Sequence, residues 1–230
     1  MRIIGFGAHP DDAEIYFLGL MLAARARGDE IGWTVATDGA RGGAGDRDLL
    51  AARRRHEAIA AAGLAGVAPR FLGREDGGLA ADGELAGLLA AEIGALAPDL
   101  VVTHALNDYH PDHRALAAAV VTAAAFDVPV LHADTMAGAG FEPTHYVDVT
   151  AAMATKRAAI RMHESQRPER FVEMAETLNR LRAMQCHGPA GTYAEAYRFA
   201  PRFPFADIRD LLPPAPLVRP FGGGNPRADP

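Results

Sequence analysis

The sequence predicts an α/β fold: one Rossmann-like, three-layer domain with a mostly parallel sheet, followed by an irregular Pro-rich C-terminal tail. Three observations carry this expectation. Short β-rich runs alternate with longer Ala-rich stretches, as in βαβ units that feed a parallel sheet. Glycines stand where several of the helical stretches should stop. Half of the 16 prolines fall after Ala200, with Gly222-Gly223-Gly224 among them, so that segment forms neither a long helix nor a central strand. At 230 residues the chain therefore reads as a single domain over residues 1–200 with an extension over 201–230.

Taken in order, a first strand is expected over residues 2–8 and a first helix over 11–27, stopped by Gly28. Phe17, Leu18, Met21 and Leu22 recur in that helix at core-facing spacing. A second strand over 30–37 is followed by a helix over 48–62, stopped by Gly63. A third strand over 69–72 leads to a helix over 83–96, and a fourth over 100–104 leads to a helix over 111–124 that opens on Pro111. Strands near 128–132 and 146–149, and helices over 151–163 and 168–184, complete the reading. No internal repeat is present.

Composition excludes several classes of function. No apolar run approaches the roughly 18 to 20 residues needed to cross a bilayer, so a soluble chain without a membrane partner is expected. The N-terminus enters a strand pattern directly and lacks the features of a secretion signal, and Cys186 is the only cysteine. Both point to a cytoplasmic protein without disulfides or a Cys-based zinc site. Twenty-nine acidic residues against 23 basic ones, with no basic run, argue against nucleic acid and for a small-molecule partner. Assembly of identical chains is compatible with the sequence, but nothing in it fixes a symmetry.

Two motifs carry chemistry. Gly7-Ala8-His9-Pro10-Asp11-Asp12-Ala13-Glu14 lies at the end of the first strand, and Asn107-Asp108-Tyr109-His110-Pro111-Asp112-His113 follows the fourth. Pro10 and the carboxylates suit a helix start on structural grounds alone, but His9 does not. His9 and Asp12, three residues apart, can face one point, whereas Asp11 is turned roughly 100° away. If strands one and four are neighbours in a 3-2-1-4 order, both motifs project into one crevice, and two histidines converge with two or three carboxylates. Two imidazoles and a carboxylate with one open position make a common catalytic zinc set, and such a site also accepts iron, cobalt or manganese. A dinucleotide site is disfavoured, because the third glycine of the Gly-x-Gly-x-x-Gly pattern begun at Gly5 would fall on Pro10. His56, His132, His145 and His187 read as ordinary polar residues, and His104 and His163 as structural or supporting ones.

The paired motifs Ala8-His9-Pro10-Asp11-Asp12-Ala13-Glu14 and His110-Pro111-Asp112-His113 closely resemble those of the PIG-L/LmbE family, zinc-dependent N-acetylglucosaminyl deacetylases and related amidases. Weaker similarity extends through Thr37-Asp38-Gly39, Arg54 with Glu57, Tyr146-Val147-Asp148 and His163-Glu164-Ser165-Gln166. The resemblance implies His9, Asp12 and His113 as ligands of Zn²⁺, with Fe²⁺ or Co²⁺ as alternatives. It also implies Asp11 as general base, and His110, oriented by Asp112, facing the leaving amine or the oxyanion. Tyr109 departs from some relatives, whose aromatic residue stands two positions before the first histidine; it is kept with Arg41 and Arg54 as a candidate substrate contact. The implied reaction removes acetyl from an N-acetylglucosamine-type amide on a small glycoside or metabolite. An amidase for a thiol conjugate, a non-catalytic metal binder or carrier, and a nicotinamide-dependent enzyme are the competing readings.

Overall fold

The computed structural model describes residues 1–217; the glycine run at 222–224 and the last prolines lie outside the described residues. Seven strands form one sheet in the order β3-β2-β1-β4-β5-β7-β6. Its strands are β1 (Arg2–Gly7), β2 (Glu30–Thr37), β3 (Arg70–Arg74), β4 (Leu100–Thr103), β5 (Val130–Ala133), β6 (His145–Asp148) and β7 (Ala194–Phe199). The first five pair in parallel, and β7 runs antiparallel to both β5 and β6. The 3-2-1-4 arrangement on which convergence of the two motifs depends is present, so β1 and β4 are neighbours.

Alternation along the central strands sorts the core into two layers. Ile3, Leu100, Val102 and Leu131 face α1 (Asp12–Tyr16), α2 (Leu18–Ala26), α3 (Arg47–Leu64), α6 (Met153–Arg161) and α7 (Glu169–Gln185). Ile4, Phe6, Val101 and Val130 face α4 (Gly83–Leu96) and α5 (Pro111–Ala124). Central strands covered on both faces need near-continuous apolar runs, which is what Leu100-Val101-Val102 supplies.

Several elements differ from the sequence expectation. The first helix is broken at Phe17, whose backbone leaves helical space at φ −143°, ψ 7°. Tertiary contacts set that break. Phe17 is fully buried, and the carboxylate of Glu195 accepts hydrogen bonds from the backbone N–H groups of Gly19 (2.9 Å) and Leu20 (2.7 Å), capping α2 from a neighbouring strand. That strand, β7, was not expected. Its Glu195 and Arg198 disguise an inner strand, and the buried Glu195 is neutralised there by Lys156 Nζ at 2.5 Å. Helix α3 continues through Gly63 to Leu64, and the left-handed turn is taken by Gly66 instead. After β7 the chain straps the domain: Ile208 and Leu212 join the core, and Asp148 N–H donates to Pro214 O at 2.9 Å.

Candidate metal centre and active site

The carboxyl ends of β1 and β4 deliver the two motifs to one cavity of about 550 Å³. Its wall includes His9, Asp11, Asp12, Tyr109, His110 and His113. The convergence follows from the parallel pairing of β1 with β4, since each motif is the strand-to-helix turn at the same end of neighbouring strands.

Within the cavity, His9, Asp12 and His113 bring their donor atoms together. His9 Nδ1 lies 3.2 Å from His113 Nε2, His113 Nε2 lies 3.3 Å from Asp12 Oδ1, and His9 Nδ1 lies 3.4 Å from Asp12 Oδ2. Ligand atoms on a tetrahedral ion with bonds of about 2.0–2.1 Å stand about 3.3–3.4 Å apart, and each of the three contacts is close to that length, with the two histidines meeting different oxygens of Asp12. The remaining nitrogens face carboxylates. His9 Nε2 is 3.3 Å from both Asp76 Oδ1 and Asp112 Oδ2, and His113 Nδ1 is 3.3 Å from Asp108 Oδ1. Such backing fixes the tautomer and turns each lone pair inward, the usual support of a metal-binding imidazole. This donor set fits a divalent metal ion.

The electrostatics agree. Burial opposes charge on His113, but Asp12 and then Asp108 outweigh it and hold its pKa at about 9. Burial likewise opposes charge on His9, where Asp12, Asp112 and Asp76 prevail and raise its pKa well above the usual imidazole range. Asp12 is held well below the carboxylate range: burial works against it, and His113, His104 and His9 overcome that. The cluster thus stabilises positive charge among these donors. His104 is the exception. Burial and the adjacent His113 push it down to about 4; it stacks on His113 at 3.7 Å and touches Asp12 Oδ2 through Nε2 at 3.1 Å. It supports Asp12 from behind and does not border the cavity.

Asp11, outside this group of donors, is gripped by Arg54, whose Nη2 donates to Oδ1 at 2.9 Å while Nη1 donates to Gly39 O at 2.9 Å. Arg54 is 3% exposed and borders the cavity. Its guanidinium clamps Asp11 from that wall. The glycine loop after β2 wraps this clamp: a Cβ at Gly39 would lie 2.8 Å from Arg54 Nη1, and Gly39 has a positive φ of 68°. Arg41 stays at the rim, donating from Nη2 to Glu75 at 2.6 Å.

In the second motif, His110 caps α5 by accepting at Nδ1 from the Asp112 N–H, 3.2 Å away. An accepting Nδ1 places the ring proton on Nε2. Burial, followed by His9 and His113, lowers the His110 pKa and favours that neutral form. Asp112 meets His110 through its backbone N–H. The Asp112 carboxylate instead accepts from Gly77 N–H (2.7 Å) and Leu79 N–H (3.3 Å) and touches His9. Tyr109 is 60% exposed at the mouth.

A family model described as GlcNAc-PI de-N-acetylase, PIG-L, matches residues 4–124, more than half of the chain and both motifs. The chain belongs to the PIG-L family. Among curated relatives, a diacetylchitobiose deacetylase of Thermococcus kodakarensis is 29% identical, with 90% of this chain and 88% of the relative covered. An N,N'-diacetylchitobiose deacetylase structure from Pyrococcus horikoshii superimposes with a TM-score of 0.75 at 25% identity, covering 86% of this chain and 83% of that one. GalB, a 4-carboxy-2-hydroxymuconate hydratase of Pseudomonas putida, gives a TM-score of 0.77 at 22% identity over 87% of this chain and 97% of that one. The last likeness concerns the fold alone, and shows that a PIG-L fold does not by itself choose the reaction.

Sequence reasoning on this PIG-L chain passed over two carboxylates. Asp76 follows the third strand in Glu75-Asp76-Gly77-Gly78, an Asp-Gly turn at the same sheet edge as the motifs, and that position was the available signal. Asp108 stood inside the second motif without a role. The weaker family stretches do meet in space: Glu57 accepts from Ser165 N–H (2.9 Å) and Oγ (2.5 Å), which places Gln166 on the cavity wall. His163 sits beneath, 3.3 Å from the buried Glu14.

Proposed function

We propose that this chain is a metal-dependent N-deacetylase of small acetamido sugars, with His9, Asp12 and His113 holding Zn²⁺. The observation that carries the reading is the close grouping of His9, Asp12 and His113 in one cavity with a clamped carboxylate, Asp11, that is not part of the group. An ion bound there supplies Lewis acidity toward an amide carbonyl and toward water. Asp11 takes the proton of the attacking water and returns a proton to the departing amine, so that amide and water become acetate and a free amine. Arg54 keeps Asp11 aimed during both transfers. His110, neutral with its proton on Nε2, donates a hydrogen bond to the oxyanion that develops as the carbonyl is attacked. Asp108 holds the His113 ring, and Asp76 and Asp112 hold that of His9. Arg41 and Tyr109 contact the sugar at the rim.

The substrate class rests on the curated relative and the similar structure named for diacetylchitobiose, both matching along most of this chain. An amidase for thiol conjugates would use the same centre, but neither match points to it. The test couples elemental analysis to acetate release from N-acetylglucosamine and N,N'-diacetylchitobiose, in wild type, His113→Ala and Asp11→Asn. About one zinc per chain is expected in wild type, with metal and activity lost together in His113→Ala. Asp11→Asn should retain metal while turnover falls by at least about 100-fold. Zinc that persists in His113→Ala, or undiminished turnover in Asp11→Asn, refutes the assignment.

A further inference from the structure

Tyr16 borders the catalytic cavity and takes no part in the proton transfers described above. It ends the short helix α1, one turn after Asp12, so its side chain leaves the helix on the same side as that carboxylate. Phe17, where the helix breaks, turns into the core, while the Tyr16 ring lies against the two stacked histidines. It meets His104 edge-on with centroids 5.2 Å apart, and His113 edge-on at 5.6 Å. The residue is 6% exposed, and its hydroxyl is buried without a hydrogen-bond partner among the described residues.

Asp108 flanks the same His113 ring and is buried in turn. Its Oδ1 is used twice, standing 3.3 Å from His113 Nδ1 and accepting from the His110 N–H at 2.9 Å. Its Oδ2 is buried with no partner among the described residues. A hydroxyl donor and a carboxylate oxygen that are shut off from water and left unmatched each oppose folding, and joining them removes both penalties.

The charge states suit that union. Burial, and then the negative charges of Asp12 and Asp108, hold the Tyr16 phenol well above its usual range, so it keeps its proton. Burial opposes ionisation of Asp108, but His113 outweighs it and holds that carboxyl below its usual range. Of the two carboxylates that act most on the phenol, Asp12 has both oxygens engaged. Its Oδ1 lies 3.3 Å from His113 Nε2, and its Oδ2 accepts from the His9 N–H at 2.6 Å and lies 3.1 Å from His104 Nε2. Asp108 Oδ2 is the acceptor that remains. The two atoms are not in direct hydrogen-bond contact, and a single water is the smallest group that can donate to one and accept from the other.

We propose, on the reading of His9, Asp12 and His113 as metal ligands, that Tyr16 is a positioning residue for His113: its O–H reaches Asp108 Oδ2 through one bridging water and closes a chain from Tyr16 through Asp108 to His113. Held at both oxygens, the Asp108 carboxylate cannot swing away from His113 Nδ1, and the Nε2 lone pair stays aimed at the ion. The phenol acts through Asp108, not on the ion.

The experiment measures Zn²⁺ affinity by chelator competition in wild type, Tyr16→Phe, Asp108→Ala and the double variant, with urea unfolding of the metal-free proteins and acetate release as companion readouts. Phenylalanine keeps the ring against His104 and His113 and removes only the hydroxyl. Tyr16→Phe should weaken Zn²⁺ binding about 5-fold, less than the roughly 10- to 100-fold expected of Asp108→Ala, and should add nothing to that loss in the double variant. Unchanged affinity in Tyr16→Phe overturns the chain whatever the companion readouts: an unfolding midpoint above wild type would show a phenol that joins nothing, and a fall in turnover alone would place the hydroxyl on the substrate. A loss of equal size with and without the Asp108 carboxylate overturns it too, since the phenol would then act by another route. A wild type that binds no Zn²⁺ would remove the metal centre itself, a result distinct from a wild-type affinity that Tyr16→Phe leaves unchanged.

Discussion

Replacing Arg54 by methionine keeps most of the side-chain volume and removes the charge that holds Asp11. Two hydrogen bonds of 2.9 Å vanish, one to Asp11 Oδ1 and one to Gly39 O. Breaking one side of a buried ion pair costs about 3–5 kcal/mol, chiefly because the surviving charge is stranded. Here Asp11 lines the cavity and can regain water there, so the lower end, about 3 kcal/mol, is expected. Asp11→Asn alone leaves the guanidinium 3% exposed and without its anion, and should cost a comparable amount. The double variant strands neither charge. Its destabilisation should therefore fall short of the sum of the two single variants by about 2 kcal/mol, the signature of direct coupling in a double-mutant cycle. The assay is urea unfolding of all four proteins with metal chelated throughout, since bound metal would add its own linkage to each stability. Additivity within about 0.5 kcal/mol would refute the clamp.

Three further outcomes follow from the same geometry. Asp108→Ala should weaken metal binding by about 10- to 100-fold through the loss of the carboxylate behind His113 Nδ1, measured by chelator competition; unchanged affinity would remove Asp108 from that role. Gly19→Ala brings a Cβ to 2.5 Å from Glu195 Oε1 and 2.6 Å from Val149 Cγ1, and should destabilise by about 1–3 kcal/mol, while Gly94→Ala, with open space on the exposed face of α4, should stabilise by up to about 1 kcal/mol in the same unfolding assay. Burial alone would lower the His163 pKa, but Glu14 outweighs it and raises it above 6.5, so its contribution to stability is fully present below about pH 6.5 and is lost as pH rises through the folded-state pKa. His163→Gln should accordingly cost more at about pH 6 than at about pH 9, and a cost independent of pH would remove the ionised pair.

Local chemistry made much of this molecule legible. The apolar runs of β1, β2 and β4 and the Ala-rich helices between them specify parallel units, because strands buried on both faces and helices with one apolar face leave few other packings. His9 and Asp12 were readable as partners, since three residues around a strand-to-helix turn bring both side chains to one side. The placement of His113 beside them needed only the neighbouring of β1 and β4. Family resemblance in the two motifs supplied the assignment of Asp11.

Other features depend on residues distant in sequence and could not be read locally. The break at Phe17 exists because Glu195, 176 residues beyond Gly19, caps α2, and β7 is a strand because Lys156 neutralises that same carboxylate. That Arg54 holds Asp11 follows from the glycine loop that closes over it, 15 residues away at Gly39, and from the motif 43 residues away. Asp76 and Asp108 became supports for imidazoles only when loops after β3 and β4 met at one edge of the sheet. The sequence by itself determined the parallel strands with most of their helices and which side chains can bind a metal, since those properties reside in short stretches of chain. Only the tertiary structure decided which carboxylate backs which histidine and where the cavity opens, because burial, charge pairing and the free space beside α7 are set by segments that are neighbours in space and strangers in sequence.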